Sequence, residues 1–139
     1  MKVILIHNKG YKWHNKGDLY FKGYIVDRET NNVYRDESAI NLLQGIDSEK
    51  SLILFLEKVE GCFAIIINNV AFKAIAVDRA RSMPLFYSEN ADVVSDSAEE
   101  VRNYLKIPKD GVDEDNYLAL YAKTFIFGNR VSNLMYPNA

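Results

Sequence analysis

The chain has 139 residues, of which 48% are hydrophobic and 26% charged, and its formal net charge is −2. This length and composition favour about one globular domain with its own core and exclude a disordered chain, which would hold fewer apolar residues. Proteins that neutralise nucleic-acid phosphates carry clusters of Lys and Arg instead of an acidic balance, so we expect no nucleic-acid partner.

Nothing in the sequence predicts contact with a membrane. The N-terminal KVILI is too short for the apolar region of a signal peptide, and the longest apolar run, Cys62 to Ile67, is too short to cross a bilayer. A single cysteine cannot form an internal disulfide, which is typical of a reducing compartment. We therefore expect a cytoplasmic protein.

The first third of the chain predicts two strands separated by a loop. Residues 2–6 have the pattern of a buried strand, and residues 7–18 contain the Gly and Asn residues of loops and turns. Residues 19–26 predict a second strand. Residues 27–37 are polar and typical of turns.

A helix follows these strands. Asp47 or Ser48 can cap its N-terminus, and Leu52, Leu56 and Val59 then lie on one face at helical spacing. This is the strongest helical pattern in the chain.

Two hairpins are predicted next. Asn68 and Asn69 separate the apolar runs GCFAIIIN and VAFKAIAVD, and adjacent asparagines tolerate the left-handed conformation of a tight turn. Residues 89–91 join a second pair of runs, PLFYS and DVVS. Because the first pair is apolar on both faces, we expect both of its faces to be covered.

Two further helices close the chain. Ser97, with Glu100 three residues later, predicts a capping box, and Asp113 can cap a later helix that runs through Tyr121. No repeat or linker divides the sequence, so we expect one domain over residues 1–139. Strands and helices without regular alternation indicate an α+β fold with a largely antiparallel sheet.

Three consecutive segments, EGCFAIIINN, AVDRARSMPLFY and VVSDSAEEV, resemble the glutamine amidotransferase domain that begins asparagine-synthase-like proteins. In that family a G-x-F-A strand, a hairpin partner ending in aspartate, a P-L-F/Y-Y strand and a short strand ending in serine before a helix follow one another. The matching residues here are Gly61 to Ala64, Asp78, Pro84 to Tyr87 and Ser95 to Ser97.

The resemblance implies a fold and a domain boundary. The family has the Ntn-hydrolase fold, an αββα sandwich of two mainly antiparallel sheets between helices, and the N-terminal part would be trimmed in this chain. FIFGNRVSNLMYP is similar to the F-G-N-R segment by which such chains leave this domain, so residues from about 125 to 139 would lead toward an ATP-dependent synthetase domain.

The stretch AVDRARSMPLFY must end one strand and begin another. We expect the carboxylate of Asp78 to accept hydrogen bonds from turn amides, and Pro84 to preset the backbone for the next strand. Arg79 and Arg81 are predicted either to lie in a solvated turn or pair with Glu99 or Glu100, or to help dock a synthetase domain or an anionic ligand.

The resemblance also implies that a catalytic group of the family is missing here. Glutamine hydrolysis in this family uses an N-terminal cysteine whose own α-amine can act as the base, and position 2 here is Lys2. Cys62, the single cysteine, lies within an apolar strand, where we expect a small buried hydrophobe; it is only a weak alternative nucleophile.

The substrate-binding groups of the family are also replaced. FKGY stands where the family has its N-G-E strand, so Gly23 matches the glycine, Lys22 replaces the asparagine and Tyr24 replaces the acid. These three residues are our candidates for substrate binding. Asp36 and Asp47 lie near the position expected for the aspartate that holds the substrate amine, but neither is a convincing match.

No cofactor or metal is predicted. The chain lacks a glycine-rich phosphate-binding loop, and His7 and His14 have no third ligand at useful spacing. Tyr11, Trp13 and Tyr20 could form an aromatic wall for a ligand, although such residues more often close the end of a core.

The sequence is therefore consistent with four candidate functions. The first is a degenerate amidotransferase-like domain that serves as a structural or docking module for a synthetase part of the asparagine-synthase type. The second is a working amidohydrolase that releases ammonia from glutamine, with Cys62 as nucleophile. The third is a sensor that binds an amino acid through Lys22, Tyr24 or Arg79, and the fourth is a module that associates with copies of itself.

Overall fold

A computed structural model describes residues 1–90, 92–107 and 130–131 of the chain. Within these residues the protein is mixed α+β, with two sheets and three helices. It divides into two compact units, one of Asn8–Pro84 and one of Met1–His7 with the chain from Leu85 onward. In chain order the elements are β1 (Lys2–Ile4), β2 (His14–Lys16), β3 (Leu19–Asp27), β4 (Val33–Arg35), α1 (Asp36–Leu43), α2 (Glu49–Lys58), β5 (Val59–Asn68), β6 (Lys73–Val77), β7 (Phe86–Ser88), β8 (Val93–Ser95), α3 (Ala98–Tyr104) and β9 (Arg130–Val131).

The unit of Asn8–Pro84 is built on an antiparallel sheet in the order β2-β3-β5-β6, and β4 also pairs with β3. The two long strands, β3 and β5, pair over nine positions, from Leu19 opposite Ile67 to Asp27 opposite Val59. Alternate side chains share a face of a sheet, so Phe21 and Ile25 lie on the same face as Phe63. This face forms the core with α1 and α2, through Ile40, Leu43 and Leu52 among others.

Two glycines allow β3 and β5 to approach closely. Gly23 has φ of 105° and Gly61 has φ of 131°, a region that residues with a side chain rarely adopt. A Cβ on Gly23 would overlap the carbonyl oxygen of Cys62, and one on Gly61 would overlap that of Tyr24. Both positions therefore require glycine.

The helix predicted after Asp47 is confirmed. Ser48 is the N-cap of α2 and accepts a hydrogen bond from the amide of Ser51 at 3.3 Å, and Leu52 is buried. The prediction for Val59 was wrong, because α2 ends at Lys58 and Val59 begins β5. An extended backbone at Val59 places its side chain in the core as a strand residue.

Three elements occupy segments that were predicted to be loops or turns. Strand β2 lies within residues 7–18, and residues 27–37 contain β4 and the start of α1. A turn does follow β3: the carboxylate of Asp27 accepts hydrogen bonds from the amides of Thr30 and Glu29, at 3.0 and 2.8 Å. These two amides lower the pKa of Asp27, because they stabilise its charged form.

The first predicted hairpin forms, but its turn differs. Strand pairing ends with Asn68 opposite Lys73, so the loop is residues 69–72 instead of a two-residue Asn-Asn turn. Neither Asn68 nor Asn69 has positive φ; the side chain of Asn69 instead accepts a hydrogen bond from the amide of Phe72. A turn held by the side chain of Asn69 thus replaces the predicted turn of two left-handed asparagines.

The other unit holds a sheet in the order β1-β8-β7-β9. Its β7–β8 hairpin is antiparallel, as predicted, and the side chain of Ser97 caps α3 by accepting from the amide of Glu100 at 3.5 Å. The prediction of mainly antiparallel pairing is wrong for the described strands of this sheet, since β1–β8 and β7–β9 are parallel. Parallel partners need long connections, and β1 and β8 are far apart in sequence.

Strand β1 is shorter and less buried than residues 2–6 predicted. It ends at Ile4, and the side chain of Ile6 is 49% exposed. The carboxylate of Asp96 accepts hydrogen bonds from the amides of Ile6 and His7 at 3.0 and 2.9 Å, so a side chain takes over from strand pairing here. The predicted helix after Asp113 lies outside the described residues, as does the exit segment except for β9.

No helix in the described ranges is long and apolar enough to cross a membrane.

Candidate functional site

The carboxylate of Asp78 ends β6 and holds the turn that follows. It accepts hydrogen bonds from the amides of Phe63 (3.2 Å), Ala80 (3.0 Å) and Ser82 (3.1 Å), and from the Ser82 hydroxyl (3.1 Å). The amide of Asp78 still donates to the carbonyl of Phe63, but its own carbonyl accepts from Arg81. Asp78 therefore pairs with Phe63 of β5 through one main-chain and one side-chain hydrogen bond. After Asp78 the chain turns away from β5.

The thiol of Cys62 lies beside this turn. The hydroxyl of Ser82 is within 3.5 Å of its sulfur and also bonds to Asp78, so Ser82 bridges the thiol and the carboxylate. On the other side, Cys62 is directly opposite Tyr24 in the β3–β5 pair. Cys62 is half-buried and hydrogen-bonded, which corrects the expectation of a buried, purely hydrophobic thiol.

Tyr24 is the candidate binding residue with the clearest electrostatic environment. The side chain of Cys62, through a hydrogen bond and Coulombic repulsion, raises the pKa of the phenol above its ordinary value. Burial and Tyr11 act in the same direction, whereas Arg35 opposes them; the Arg35 guanidinium is 6.0 Å from the Tyr24 ring centre. Tyr24 therefore stays protonated at neutral pH and can donate a hydrogen bond.

Lys22 and Gly23 have different surroundings. The side chain of Lys22 is only 8% exposed, and its ammonium lies 5.7 Å from the centre of the Trp13 ring, within cation–π range. Gly23 is buried and serves the close approach of β3 to β5. Of the predicted aromatic wall, Tyr11 instead contacts the ring of Tyr24, at 6.0 Å between centres.

A groove lies beside the first part of β5. It has a volume of about 670 Å³, and we call it the edge groove. Leu56, Phe63 and Val77 provide apolar lining. Its charged lining residues are Arg28, Glu57, Glu60, Asp78 and Arg79.

Most of these charges already have partners. Arg28 forms an ion pair with Glu60 at 3.8 Å, and Asp78 is saturated by the donors of its turn. Arg79 is exposed and forms no ion pair with any described residue. Among the described residues, Arg79 and Glu57 are thus the cation and the anion of the groove that remain available to an incoming group.

The other members of the AVDRARSMPLFY stretch take backbone roles or stay in solvent. Arg81 is exposed and has φ of 53°, so it provides the left-handed step of the turn. Pro84 is exposed two residues before β7. Glu99, one of the acids considered as a partner of Arg79 and Arg81, pairs with Arg102 at 3.2 Å.

The histidines and aspartates considered in the sequence analysis form neither a metal site nor a binding site for a substrate amine among the described residues. His14 pairs with Asp36 at 2.9 Å, and Asp47 accepts a hydrogen bond from the Ser51 hydroxyl at 3.3 Å. The amide of His7 is bound to Asp96. In the part of the chain that the structure describes, no three His, Cys, Asp or Glu residues could hold a metal ion.

The fold brings together residues that the sequence analysis treated separately. Tyr24, Cys62 and Asp78 meet in one cluster, and Ser82, which was not predicted, connects two of them. An aspartate at the start of a turn was a signal for side-chain bonds to turn amides, but no sequence signal pointed to the hydroxyl of Ser82.

Comparison with known proteins identifies no relative. No protein-family model, no curated protein and no solved structure matches the chain.

Proposed function

We propose that this chain is a degenerate glutamine-amidotransferase-like domain of the asparagine-synthase type, without glutamine hydrolysis of its own. In this proposal it has a trimmed Ntn-hydrolase fold, acts in the cytosol, and serves as a structural or docking module for an ATP-dependent, amide-forming synthetase part. The order of the elements supports the proposal: β5, β6 ending at Asp78, β7, β8 and the Ser97-capped α3 follow one another as the family resemblance predicts.

The position of Cys62 carries the claim of inactivity. The family's reaction needs a thiol next to a free α-amine, because that amine takes up the proton of the nucleophile. Cys62 lies inside β5, opposite Tyr24, so its nitrogen is a peptide amide and cannot act as a base. The polar side chains next to its sulfur are the hydroxyls of Tyr24, whose pKa is raised, and of Ser82, and the carboxylate of Asp78 is linked to the thiol only through the Ser82 hydroxyl, so no described base contacts the thiol directly.

A second function, the binding of a free amino acid, has one observation in its favour. The edge groove presents a cation at Arg79 and an anion at Glu57, neither of them ion-paired within the described residues, beside an apolar lining. An amino acid carries the complementary carboxylate and ammonium. Such binding would stabilise the protein in a saturable manner without turnover.

The test is an assay of ammonia release with glutamine, run on the wild-type chain, Cys62→Ala and Ser82→Ala. The proposal predicts no release above the protein-free rate for any of the three. Release that disappears in Cys62→Ala would contradict it and make Cys62 a nucleophile. Thermal unfolding in the same glutamine series examines the second function, which predicts a midpoint that rises with glutamine and falls back in Arg79→Gln.

A further inference from the structure

We propose that the edge groove binds an extended segment of a partner polypeptide, which adds a strand to β5 at Val59–Gly61 and places an acidic side chain against Arg79. This inference rests on the proposed docking function for the identity of its partner, and it gives that function a surface.

Strand β5 is longer than the partner on one of its sides. It runs from Val59 to Asn68, but β6 pairs only with Ala64 to Asn68. Asp78 adds one more contact, at Phe63, and the chain then turns away. Beyond Phe63, no described strand pairs with β5 on this side.

The free backbone groups of this segment face the groove. Main-chain groups along a strand alternate between its two neighbours. Lys58 accepts from Arg28 and Asn68 donates to Asp18, both on the β3 side, whereas Phe63 bonds to Asp78 on the β6 side. By this alternation the amides and carbonyls of Val59 and Gly61 point away from β3, and no described residue bonds to them there.

The groove beside these groups has the features of a strand-binding site. Leu56, Phe63 and Val77 offer apolar contacts for alternate side chains of an added strand. Gly61 has no side chain to block the approach of a strand. The edge groove has a volume of about 670 Å³, which is enough for a few residues of peptide. Polypeptides that pair with exposed edges gain main-chain hydrogen bonds irrespective of their sequence.

The charges select the partner. Arg28 is neutralised by Glu60, so Arg79 is the cation of the groove that lacks an ion pair within the described chain. At Arg79 an acidic residue of the incoming segment is complementary and a basic one is repelled, whereas Glu57, the anion of the groove that forms no ion pair within the described residues, can accept a basic residue elsewhere on the segment. The occupant is therefore an extended segment with alternating apolar residues and an Asp or Glu.

The experiment begins with a display library of random peptides of about eight residues, the length of a typical strand. Selection on the intact chain is expected to enrich alternating apolar sequences that carry Asp or Glu. The most enriched peptide is then synthesised with its acid and with Lys in its place. Binding of both is measured by fluorescence anisotropy to wild type, Arg79→Glu, Arg79→Gln and Arg81→Glu.

Arg81→Glu is the matched control, because Arg81 is an exposed arginine two residues away that does not line the groove. Arg79→Glu is expected to weaken the acidic peptide about tenfold and to favour the Lys peptide, while Arg81→Glu leaves both unchanged. Arg79→Gln, which only removes the charge, should lie between wild type and Arg79→Glu. Hydrogen exchange should show new protection at the amides of Val59 and Gly61 and none at Cys62, whose amide already faces β3.

The proposal is overturned if no peptide is enriched, if Arg79→Glu and Arg81→Glu act alike, or if protection appears elsewhere. It is also overturned if the amide of Gly61 is already protected in the free protein, because another segment or a second copy then occupies the edge. Competition by free glutamine at the same site would favour a small-ligand site instead. None of these results depends on ammonia release, so failure of this inference and failure of the inactive-domain proposal are separate outcomes.

Discussion

Asp78→Ala should be among the most destabilising single substitutions in the Asn8–Pro84 unit. The carboxylate is only 4% exposed and accepts from the amides of Phe63, Ala80 and Ser82 and from the Ser82 hydroxyl. Removing it leaves the Phe63 amide without an acceptor on the β6 side and releases the turn.

The size of the effect follows from where each donor lies. The bond from the Phe63 amide is buried and goes to a charged acceptor, so its loss costs about 2 kcal/mol. The amide of Ala80 and the two donors of Ser82 are close to solvent, where water replaces the carboxylate at a cost of about 0.5 kcal/mol each. The total is about 3–4 kcal/mol, a large share of the ~5–15 kcal/mol by which domains are stable.

Urea unfolding of wild type, Asp78→Ala, Asp78→Asn and Asp18→Ala measures this loss. Asp78→Asn keeps one acceptor oxygen but loses the charge, so we expect about half the effect of Asp78→Ala. Asp18→Ala is the control, because Asp18 is exposed and its side chain forms no hydrogen bond within the described residues; it should change stability by less than about 0.5 kcal/mol. If Asp78→Ala is no more destabilising than Asp18→Ala, Asp78 does not hold the end of β6.

The remaining predictions concern glycine geometry and two shifted titrations. Gly23→Ala should cost more than about 3 kcal/mol of unfolding free energy, because its Cβ would overlap the backbone opposite, whereas Gly45→Ala, in open space, should be nearly neutral; equal effects would contradict the close approach of β3 to β5. The pKa of Asp27 is lowered in the fold, so its contribution to stability is present above its ordinary pKa of 3.8 and disappears as the pH falls through the folded value. The destabilisation by Asp27→Asn should therefore be present at pH 7 and shrink as the pH falls below 3.8, and a pH-independent difference would refute this. The pKa of Tyr24 is raised by Cys62, so NMR titration of labelled tyrosine should show a lower Tyr24 pKa in Cys62→Ala than in wild type. Because the folded pKa is raised, the contribution of protonated Tyr24 to stability is present below pH 10 and is lost as the pH rises through the folded value.

Elements with strong local signals could be predicted from the sequence. Helix α2 has a serine cap followed by apolar residues at helical spacing, and the β7–β8 hairpin has two short apolar runs around a polar loop. The elements that were missed are short or polar. Strand β4 has three residues, two of them exposed, and it forms because β3 offers an edge, not because of its own pattern.

The candidate site could be predicted only in part. The turn-holding role of Asp78 could be predicted, because an aspartate that follows an apolar strand commonly accepts hydrogen bonds from the amides of the next turn. The contact of Tyr24 with Cys62 could not be predicted, because it depends on the register between β3 and β5. A shift of one residue in that register would put different side chains together. The open edge of β5 also depends on where β6 stops, which is set by the hydrogen bonds of Asp78.

The most direct test of the central claim, that Cys62 is not the nucleophile of a glutamine site, is intact-mass measurement after incubation with an electrophilic chloroketone analogue of glutamine. The account predicts that wild type is modified no faster than a short cysteine peptide, and that added glutamine does not slow the modification. Rapid, stoichiometric modification that glutamine prevents and Cys62→Ala abolishes would contradict the account and assign amidohydrolase chemistry to this chain.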